Sequence, residues 1–384
     1  MQPNSNLSTP WKMPNPLRIV ISGGGTGGHI FPAVSIAQEV QRRYPEAEIR
    51  FIGAQGRMEM ERVPAAGYPI AGIPIAGFQR SALHKNFGLP LKIWKSLRLV
   101  RQHLRTWQPH AVIGTGGYVS GPTLYVAQRM GIPTLIQEQN SFAGWTNRLV
   151  SRRAKAICTA YPGMESVFPA ATTHQTGNPV RPAIAGMPRI SEEARRAAKE
   201  QLGFDAGKAL ILVLGGSQGA RAINQAVEAA EAGWRDSGHQ VLWQCGKFYV
   251  DALEARLGEV PGRRIQAFLD DMVLAYTAAD LVVSRAGAGT LSELCCAGMA
   301  SILIPSPNVA EDHQTHNALS LHERGAALHL PESEAFVKLA QTVEEYLHHG
   351  EKLETLRDGA RSLAQPNAAS DIVDHLQSLW SWKA

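Results

Sequence analysis

The sequence contains few cysteines, few aromatic residues and no long apolar run. Its four cysteines, Cys158, Cys245, Cys295 and Cys296, lack the spacing of a metal site, and adjacent cysteines are poorly placed for a disulfide. We therefore expect a reducing, cytosolic compartment. No stretch approaches the roughly 20 apolar residues of a membrane-spanning helix. Residues 1–16 are polar and Pro-rich, without the apolar core of a signal peptide, and are expected to form a disordered extension of a soluble chain.

Acidic residues are scarce in the first half of the chain. Residues 1–182 contain 20 Lys and Arg against 7 Asp and Glu, a net charge of +13, whereas residues 183–384 contain 18 against 26, a net charge of −8. A basic half suits anionic lipid, nucleic acid or a phosphorylated substrate. With 384 residues, of which 44% are hydrophobic, the chain is long enough to bury two domain cores.

Short β-branched runs alternate with amphipathic stretches along the chain. The predicted strands are 17–22, 49–53, 111–114, 134–136, 156–159, 210–214, 240–243, 264–268, 281–284 and 302–304, and the predicted helices include 32–43, 220–232, 290–297 and 368–380. Repeated β–α units predict the α/β class with doubly wound parallel sheets. The series restarts after the Pro/Ala-rich residues 182–188. We therefore expect two Rossmann-like domains, 17–182 and 183–365, and a C-terminal helical segment, 366–384, as a candidate to pack on the first.

The first predicted strand leads into Ser22-Gly23-Gly24-Gly25-Thr26-Gly27-Gly28-His29, which opens a helix. Glycines let backbone amides approach a ligand, and a helix start favours an anion. Gly23, Gly25 and Gly28 also fit the G-x-G-x-x-G pattern of dinucleotide-binding proteins. That interpretation requires a carboxylate at the end of the second strand, where none occurs before Glu59. A turn that uses glycine for packing alone is the other alternative, but five glycines and a terminal His favour a ligand site.

Gly215-Gly216-Ser217-Gln218-Gly219 occupies the equivalent place in the second half, between a strand and a helix. It fits the G-x-S-x-G nucleophile elbow of hydrolases, which would recruit His313 or His316 and Asp312. An elbow normally follows a central strand within a single sheet, whereas this segment opens a second sheet. A hydroxyl and unpaired amides at a helix start also suit a phosphate, so we favour anion contact.

A third strand–turn–helix segment runs from Ser284 to Glu293. The amides of Gly289, Thr290 and Leu291 would begin a helix suited to a pyrophosphate, and Glu293 would accept hydrogen bonds from both ribose hydroxyls. The alternative is a capping box, with Thr290 as the N-cap and Glu293 reaching back to it. The polar cluster 312–317 follows the next strand, and both segments would lie at the carboxyl ends of strands, where such sheets bind ligands.

Six segments resemble the MurG family of glycosyltransferases in order and spacing, over about residues 17–374. They are 22–29, 114–122, 138–140, 177–181, 215–220 and 284–293. Members of that family add N-acetylglucosamine to lipid-linked N-acetylmuramoyl-pentapeptide. The resemblance implies two Rossmann-like domains facing a cleft (the GT-B fold), UDP-N-acetylglucosamine as donor and undecaprenyl-pyrophosphoryl-MurNAc-pentapeptide as acceptor. It further implies inversion at the anomeric carbon without a cofactor or an obligatory metal, and no Asp-x-Asp motif follows a predicted strand.

The resemblance also implies which residues bind the donor. Those of the first half are Thr26, Gly27, Gly28, Asn140 and Arg181, and those of the second are Ser217, Leu269, Ala288, Gly289, Thr290, Leu291, Ser292, Glu293 and Gln314. Arg181 suits a phosphate through its fork of N–H donors. Ser217 would contact phosphate or sugar, and residues 288–293 would contact the diphosphate and ribose. Leu269 would meet uracil through its main chain, and Gln314 would meet the sugar hydroxyls.

The reaction requires a base that removes the proton of the acceptor hydroxyl as this oxygen attacks the anomeric carbon. His29 is our first candidate, because a helix N-terminus lowers the pKa of an imidazole and keeps it neutral. Glu138 is the second. The alternatives are that His29 only binds the acceptor phosphate and that Glu138 only orients Asn140. Stabilisation of the departing UDP by helix amides and Arg181 would contribute more than the base.

Residues 87–105 combine apolar and basic side chains. Phe87, Leu91 and Trp94 lie among Lys92, Lys95 and Arg98, as in a helix that binds an anionic membrane surface. An ordinary helix packing its apolar stripe on a sheet is the alternative. Because the implied acceptor is lipid-anchored, we expect a peripheral protein on the cytoplasmic face of the bacterial inner (plasma) membrane. Nucleic acid is disfavoured, since the apolar residues here are mostly aliphatic and stack poorly with bases.

Rival functional classes differ in simple observables. A dinucleotide-dependent oxidoreductase would bind a nicotinamide cofactor, and a serine hydrolase would react with an active-serine probe at Ser217. A non-catalytic sugar-nucleotide-binding protein would bind the UDP-sugar without turnover. Another UDP-sugar-dependent GT-B transferase acting on a lipid acceptor is the nearest alternative to the activity that the resemblance implies.

Overall fold

The computed structural model describes residues 16–75, 89–216, 218–309 and 312–379. The chain divides into two compact units: the first contains residues 1–139, 143–176 and 368–384, and the second contains residues 140–142 and 177–367. This division falls at residue 177, a few residues before the boundary drawn from the sequence, and the C-terminal helix is grouped with the first unit. Most of the expected N-terminal extension (1–15), Phe87 and Ser217 lie outside the described residues.

The first unit is built on a seven-stranded sheet in the order β3-β2-β1-β4-β5-β6-β7. Its strands are β1 (Arg18–Gly23), β2 (Glu48–Ala54), β3 (Ile70–Ile73), β4 (Ala111–Gly116), β5 (Thr134–Glu138), β6 (Ala156–Thr159) and β7 (Thr173–Gln175). All of these strands pair in parallel. The chain winds from β1 first to one edge and then, after β3, to the other, so the topological switch point lies between β1 and β4.

Two apolar cores cover the faces of this sheet. Its helices are α1 (Gly27–Arg43), α2 (Glu59–Ala65), α3 (Leu89–Trp107), α4 (Ser120–Arg129), α5 (Trp145–Ser151) and α15 (Ala368–Ser378). Because side chains alternate along a strand, Ile19 and Ile21 pack in the core under α1 and α15, whereas Val20 packs in the core under α3 and α4. Ile372 and Leu376 of α15 are fully buried in the first of these cores.

The second unit repeats the plan with a six-stranded parallel sheet in the order β10-β9-β8-β11-β12-β13. Its strands are β8 (Leu210–Leu214), β9 (Gln240–Gln244), β10 (Arg263–Gln266), β11 (Leu281–Ser284), β12 (Ser301–Leu303) and β13 (Leu328–His329). The switch point lies between β8 and β11, and the ligand crevice of such a sheet opens at the carboxyl ends of these strands.

Nine described helices belong to the second unit. They are α6 (Pro182–Ala185), α7 (Glu192–Gln201), α8 (Arg221–Asp236), α9 (Val250–Leu257), α10 (Met272–Ala278), α11 (Ala288–Ala297), α12 (His313–His322), α13 (Glu332–His348) and α14 (Gly350–Ser362). Helices α8 and α13 contribute Ile223, Val227, Leu339 and Val343 to a core with the β8 and β9 side chains. The α/β class and the two doubly wound parallel sheets predicted from the sequence are therefore confirmed.

Three strands were absent from the prediction: β3, β7 and β13. They lie at sheet edges and have two to four residues, so they lack the doubly buried apolar run that marks the central strands. Two predicted helix starts were also wrong. Helix α1 begins at Gly27 and contains Pro32 within its length, and α11 begins at Ala288 rather than at Gly289 or Thr290.

Candidate active site

Two glycine turns meet at the switch point of the first sheet. The first follows β1 (residues 23–25) and the second follows β4 (residues 116–117). Gly117 has φ of +76°, and a Cβ there would lie 2.2 Å from the carbonyl oxygen of Gly24. The hydroxyl of Thr115, at the end of β4, donates to the carbonyl oxygen of His29 over 2.8 Å. Only glycine permits so close an approach of two backbones. Together with the Thr115 hydrogen bond, this contact fixes the position of the start of α1.

Glu59 connects the first glycine turn to the end of β2 by hydrogen bonds. Its fully buried carboxylate accepts hydrogen bonds from the backbone amides of Ala54 (3.0 Å) and Gly25 (3.1 Å). Sequence reasoning noted this residue only as a carboxylate too late in the chain to hold a ribose. The acidic residue after β2 is present, but it binds the turn itself, which is why the dinucleotide pattern here lacks its usual partner.

His29 lies in the first turn of α1, half-buried beside the second glycine turn. Its Nδ1 is 3.2 Å from the carbonyl oxygen of Gly24 and 3.2 Å from the hydroxyl oxygen of Thr26. A carbonyl only accepts, so the contact with Gly24 places the proton on Nδ1 and the lone pair of the neutral ring on Nε2. A Cβ at Gly116 would lie 3.0 Å from Nε2, so this nitrogen faces the second glycine turn.

Glu138, the last residue of β5, is only 2% exposed. Its Oε2 accepts hydrogen bonds from the Gly144 amide (3.1 Å) and from Nδ2 of Asn147 (2.9 Å). These bonds connect the end of β5 to the start of α5. They make Glu138 a residue that shapes the loop, and they favour His29 among the two candidate bases.

The second unit repeats the contact between two glycine turns, here after the neighbouring strands β8 and β9. The turn after β8 (residues 215–219) and the turn after β9 (residues 245–246) pack backbone against backbone. Gly219 and Gly246 have φ of +83° and +89°, and a Cβ on Gly246 would lie 2.1 Å from the amide nitrogen of Gly219. Among the described members of this turn, Gly215 donates to the carbonyl oxygen of Gln244 over 2.9 Å.

Helix α11 begins with an uncapped turn directly after β11. Gly287 is the N-cap residue, no side chain caps the helix, and the first intrahelical amide is that of Leu291, which donates to Gly287. The amides of Ala288, Gly289 and Thr290 are therefore available to an anion. The capping-box interpretation is wrong, because Thr290 lies inside the helix. Leu291 is buried, so it would serve a ligand only through its backbone.

Glu293 and Arg181 pair with each other rather than standing apart for ribose and phosphate. Arg181 donates from Nε and Nη2 to the two carboxylate oxygens over 2.8 and 2.9 Å. The hydroxyl of the fully buried Tyr276 donates to Oε2 of Glu293 over 3.3 Å. Burial and the adjacent Glu293 charge raise the pKa of Tyr276 well above its ordinary value, so it remains a donor. Asn178 likewise donates to the Ser292 hydroxyl over 3.1 Å.

A polar pocket of about 630 Å³ lies within the second unit, beside the turn after β8. Its walls include Gly215, Gly219, Arg221, Arg285, Ser306 and Gln314. Gln314, in the first turn of α12, accepts from the Ser306 amide over 2.9 Å, which directs the side chain along the wall. Leu269 is buried in the connection from β10 to α10. Sequence reasoning did not identify Arg285, which also forms an ion pair with Glu332.

Asn140 lies on a three-residue segment that is grouped with the second unit. The fully buried Asn317 of α12 donates to Oδ1 of Asn140 over 3.2 Å and accepts from the Ser141 amide over 3.0 Å. The ring of Phe142 stacks on His316 at 5.7 Å between centroids. Asn140 is thereby held by its neighbours in the second unit, and Asn317 is a contact that the sequence analysis missed.

The first unit exposes two faces that mix apolar and basic side chains. In α3, the expected residues Leu91, Lys92, Trp94, Lys95 and Arg98 are all exposed, while Ser96, Val100 and Leu104 are buried. In α5, Trp145 and Leu149 are 70% and 72% exposed beside the exposed Arg148, a face that sequence reasoning missed. Among the described residues, no helix is both long and apolar enough to cross a membrane.

Two family profiles match the chain in order. The N-terminal domain of glycosyltransferase family 28 matches residues 19–159, and the C-terminal domain of the same family matches residues 210–376. A protein of Porphyromonas gingivalis is 50% identical over 363 residues, which cover 94% of this chain and 95% of that protein. A protein of Phocaeicola vulgatus is 50% identical over 360 residues, which cover 93% and 95%. Both are named UDP-N-acetylglucosamine–N-acetylmuramyl-(pentapeptide) pyrophosphoryl-undecaprenol N-acetylglucosamine transferase.

Solved structures of glycosyltransferases also match this chain. The crystal structure of Acinetobacter baumannii MurG has a TM-score of 0.75 at 31% identity, and the match covers 94% of this chain and all of that one. The glycotransferase of kitacinnamycin has a TM-score of 0.68 at 18% identity, a likeness of fold alone.

Proposed function

Since the chain belongs to glycosyltransferase family 28, we propose that it transfers N-acetylglucosamine from UDP-N-acetylglucosamine to the muramoyl 4-hydroxyl of undecaprenyl-pyrophosphoryl-MurNAc-pentapeptide. The names of relatives that are 50% identical over nearly the whole chain state this donor, this acceptor and the sugar that is transferred. The resemblance drawn from six short segments is thereby confirmed. The product is the lipid-linked disaccharide of peptidoglycan synthesis.

The uncapped start of α11 is the observation that carries the donor assignment. We propose that the amides of residues 288–290 bind the diphosphate, which gains from their unpaired N–H groups and from the helix dipole. Glu293 then accepts from the ribose hydroxyls. An arginine has five N–H groups, and Arg181 uses two on Glu293, so others remain for a phosphate.

The remaining donor contacts that we propose rest on the resemblance. In the second unit we propose Ser292, the main chain of Leu291 and of Leu269, the side chains of Ser217 and Asn140, and Gln314 for the sugar hydroxyls. In the first unit we propose Thr26, Gly27 and Gly28, because their amides stand at the start of α1. No metal is required in this scheme, because helix amides and Arg181 neutralise the departing UDP.

His29 is the proposed base. With its proton on Nδ1, held by Gly24, the ring offers Nε2 to the acceptor hydroxyl as that oxygen attacks the anomeric carbon from the face opposite UDP. The attack inverts the configuration of the sugar. Glu138 remains the second candidate, although its carboxylate already accepts two hydrogen bonds from its own loop.

The membrane assignment has its own support. Exposed Leu91 and Trp94 stand beside Lys92, Lys95 and Arg98 on α3, and aromatic side chains next to cations suit the interface of an anionic lipid surface. We propose peripheral attachment through this face at the cytoplasmic side of the inner membrane. Phe87 adjoins it in sequence, outside the described residues.

The decisive experiment incubates the protein with radiolabelled UDP-N-acetylglucosamine and the lipid-linked muramoyl acceptor. Label should enter the lipid fraction, and other UDP-sugars should transfer poorly. Protein that binds UDP, and is therefore folded, but transfers no label would contradict the proposal. Label transferred equally from another UDP-sugar would instead indicate a different transferase of the same fold.

Variants then separate the two bases. His29→Ala should lower kcat by about 10²- to 10⁴-fold, the usual contribution of general base catalysis. Glu138→Gln keeps one carbonyl acceptor for the loop and should lower kcat much less. Near-normal turnover in His29→Ala, with a large loss in Glu138→Gln, would transfer the role to Glu138.

A further inference from the structure

Three potential metal ligands converge on the second unit, away from the glycine turns. They are His239, which precedes β9, and Glu344 and His348, which are one turn apart on α13. The Oε2 atom of Glu344 is 3.2 Å from Nε2 of His239 and 3.3 Å from Nε2 of His348. All three ligand atoms lie within 4.8 Å of one another.

These distances fit a small divalent cation. Zinc bonds to imidazole nitrogen and carboxylate oxygen are about 2.0–2.2 Å long, so neighbouring ligand atoms in a tetrahedral site are separated by about 3.3–3.5 Å. Two edges of the triangle already have nearly that length. Two imidazoles and one carboxylate form a donor set typical of zinc and other first-row metals, and unsuited to magnesium or calcium, which prefer oxygen ligands.

The scaffold fixes two of the three ligands. The side chain of His239 is only 10% exposed, and its backbone amide donates to the carbonyl oxygen of Trp234 over 2.8 Å. The indole of Trp234 donates in turn to the carbonyl oxygen of Ala340 on α13 over 3.2 Å. The end of α8, the start of β9 and the Glu344 face of α13 are thus positioned together. His348, the last residue of α13, contributes the third ligand from a side chain that is 65% exposed.

We propose that His239, Glu344 and His348 bind one first-row divalent cation, with zinc the best match, and that this ion links the start of β9 to the end of α13. Water would complete the coordination, because the described residues supply three ligands. The site lies at the amino end of β9, whereas the glycine turns lie at the carboxyl ends of the strands. Its role is therefore structural, and it is independent of the proposed transferase reaction.

The test titrates tag-free, chelator-treated protein with zinc chloride by calorimetry at pH 7.5. One equivalent should bind, and the melting temperature of the second unit should rise because the ion binds the native state. Cobalt(II) should give the visible absorption of a low-coordinate site with nitrogen and oxygen ligands.

Variants locate the site. His239→Ala, Glu344→Gln and His348→Ala should each weaken zinc binding by at least about tenfold, on the scale of lost metal contacts. His348 is exposed, so its variant should fold normally. His349→Ala, which removes the adjacent exposed histidine, is the matched control and should bind zinc like the parent protein. Absence of stoichiometric binding, or an equal loss in His349→Ala, would overturn the proposal and leave a simple histidine–carboxylate ion pair.

Discussion

At the scale of single residues, the carboxylates of Glu59, Glu138 and Glu293 act mainly by accepting hydrogen bonds from neighbouring protein groups. Glu59 accepts two backbone amides, Glu138 accepts an amide and an asparagine, and Glu293 accepts from Arg181 and Tyr276. A buried carboxylate that loses such a donor is left with an uncompensated charge, which costs more than the hydrogen bond contributes. The ligand sites are therefore sensitive to residues that need not touch a ligand.

Tyr276→Phe tests this for the donor site. The ring remains buried, but Oε2 of Glu293 loses a donor, so the carboxylate is less firmly oriented toward the ribose. Loss of about 1 kcal/mol corresponds to a roughly fivefold weaker Kd for UDP, measured by calorimetry. The stability of the variant should be compared in the same preparation. An unchanged Kd would mean that Arg181 alone orients Glu293.

Glu59→Gln tests the first glycine turn. Glutamine has one acceptor oxygen, whereas the backbone amides of Gly25 and Ala54 each donate to a different oxygen of Glu59. In the variant, the NH₂ group of glutamine would therefore face one of these N–H donors. We expect a loss of about 1–3 kcal/mol in the free energy of unfolding, measured by denaturant titration. Glu61→Gln is the matched control on the same helix, because Glu61 is exposed. Equal stability of the two variants would refute the role given to Glu59.

At the scale of elements, both units use the same device: two strand-to-helix turns, after neighbouring strands, whose backbones touch. The segments 22–29, 114–122 and 215–220 predicted three of these turns, but not the turn at residues 245–246. The sequence did not predict that they meet in pairs, Gly24 with Gly117 and Gly219 with Gly246, because such contacts join residues far apart in the chain. Nor did it predict the start of α11, since Thr-Leu-Ser-Glu fits a capping box equally well.

Gly289→Ala separates helix stability from ligand binding at α11. A Cβ at Gly289 meets no atom within 4 Å, so alanine fits and should stabilise the helix by up to about 1 kcal/mol. Helical Cβ atoms lean toward the N-terminus, where the diphosphate would sit. UDP binding should therefore weaken, by about tenfold if the clash costs about 1.4 kcal/mol.

Gly350→Ala is the control for that variant. Gly350 also lies in the first turn of a helix and also has open space around a Cβ, but its helix, α14, follows α13 and not a strand of the sheet. It should gain similar stability and keep normal UDP affinity. Normal UDP affinity in Gly289→Ala as well would show that the start of α11 does not hold the diphosphate.

Helix α15 should make the stability of the first unit depend on pH. The ring of His375 stacks on His174 at 3.9 Å between centroids, near Asp371 and Asp374. Burial, and then the neighbouring His174, lower the pKa of His375 below its ordinary value of 6.5. Below pH 6.5 the unfolded chain therefore binds more protons than the native one. The stability that neutral His375 contributes is fully present above pH 6.5. It is lost as the pH falls from there through the lowered pKa of the folded protein.

Calorimetry between pH 7.5 and 5.5 measures this dependence. The melting temperature of the first unit should fall over that range, and His375→Gln should flatten the fall, since glutamine does not titrate. His349 is an exposed histidine of the second unit, and His349→Gln should leave the dependence of this melting temperature on pH unchanged. An unaltered slope in His375→Gln would show that other groups carry the dependence.

At the scale of the whole molecule, the sequence predicted most of the fold because the central strands are buried apolar runs, and several of them lead into glycine and an amphipathic helix. The edge strands β3, β7 and β13 could not be predicted, since two to four partly exposed residues carry little signal. For the candidate site, residue types and order identified the turns. The partners of each side chain, such as Asn317 for Asn140, depend on how distant elements pack.

The uneven charge of the molecule, +13 over residues 1–182 and −8 over residues 183–384, leads to the last prediction. If the α3 face binds anionic vesicles, Trp94→Ala should reduce the bound fraction in a flotation assay. Replacing Lys92, Lys95 and Arg98 by Gln should reduce it further, by about 1 kcal/mol per cation, and should remove most of its salt sensitivity. Phe336→Ala is the matched control, because Phe336 is an exposed aromatic residue of the acidic second unit. Equal binding of the Trp94 and Phe336 variants would move the membrane contact elsewhere, with the exposed Trp145 and Leu149 of α5 as the next surface to test.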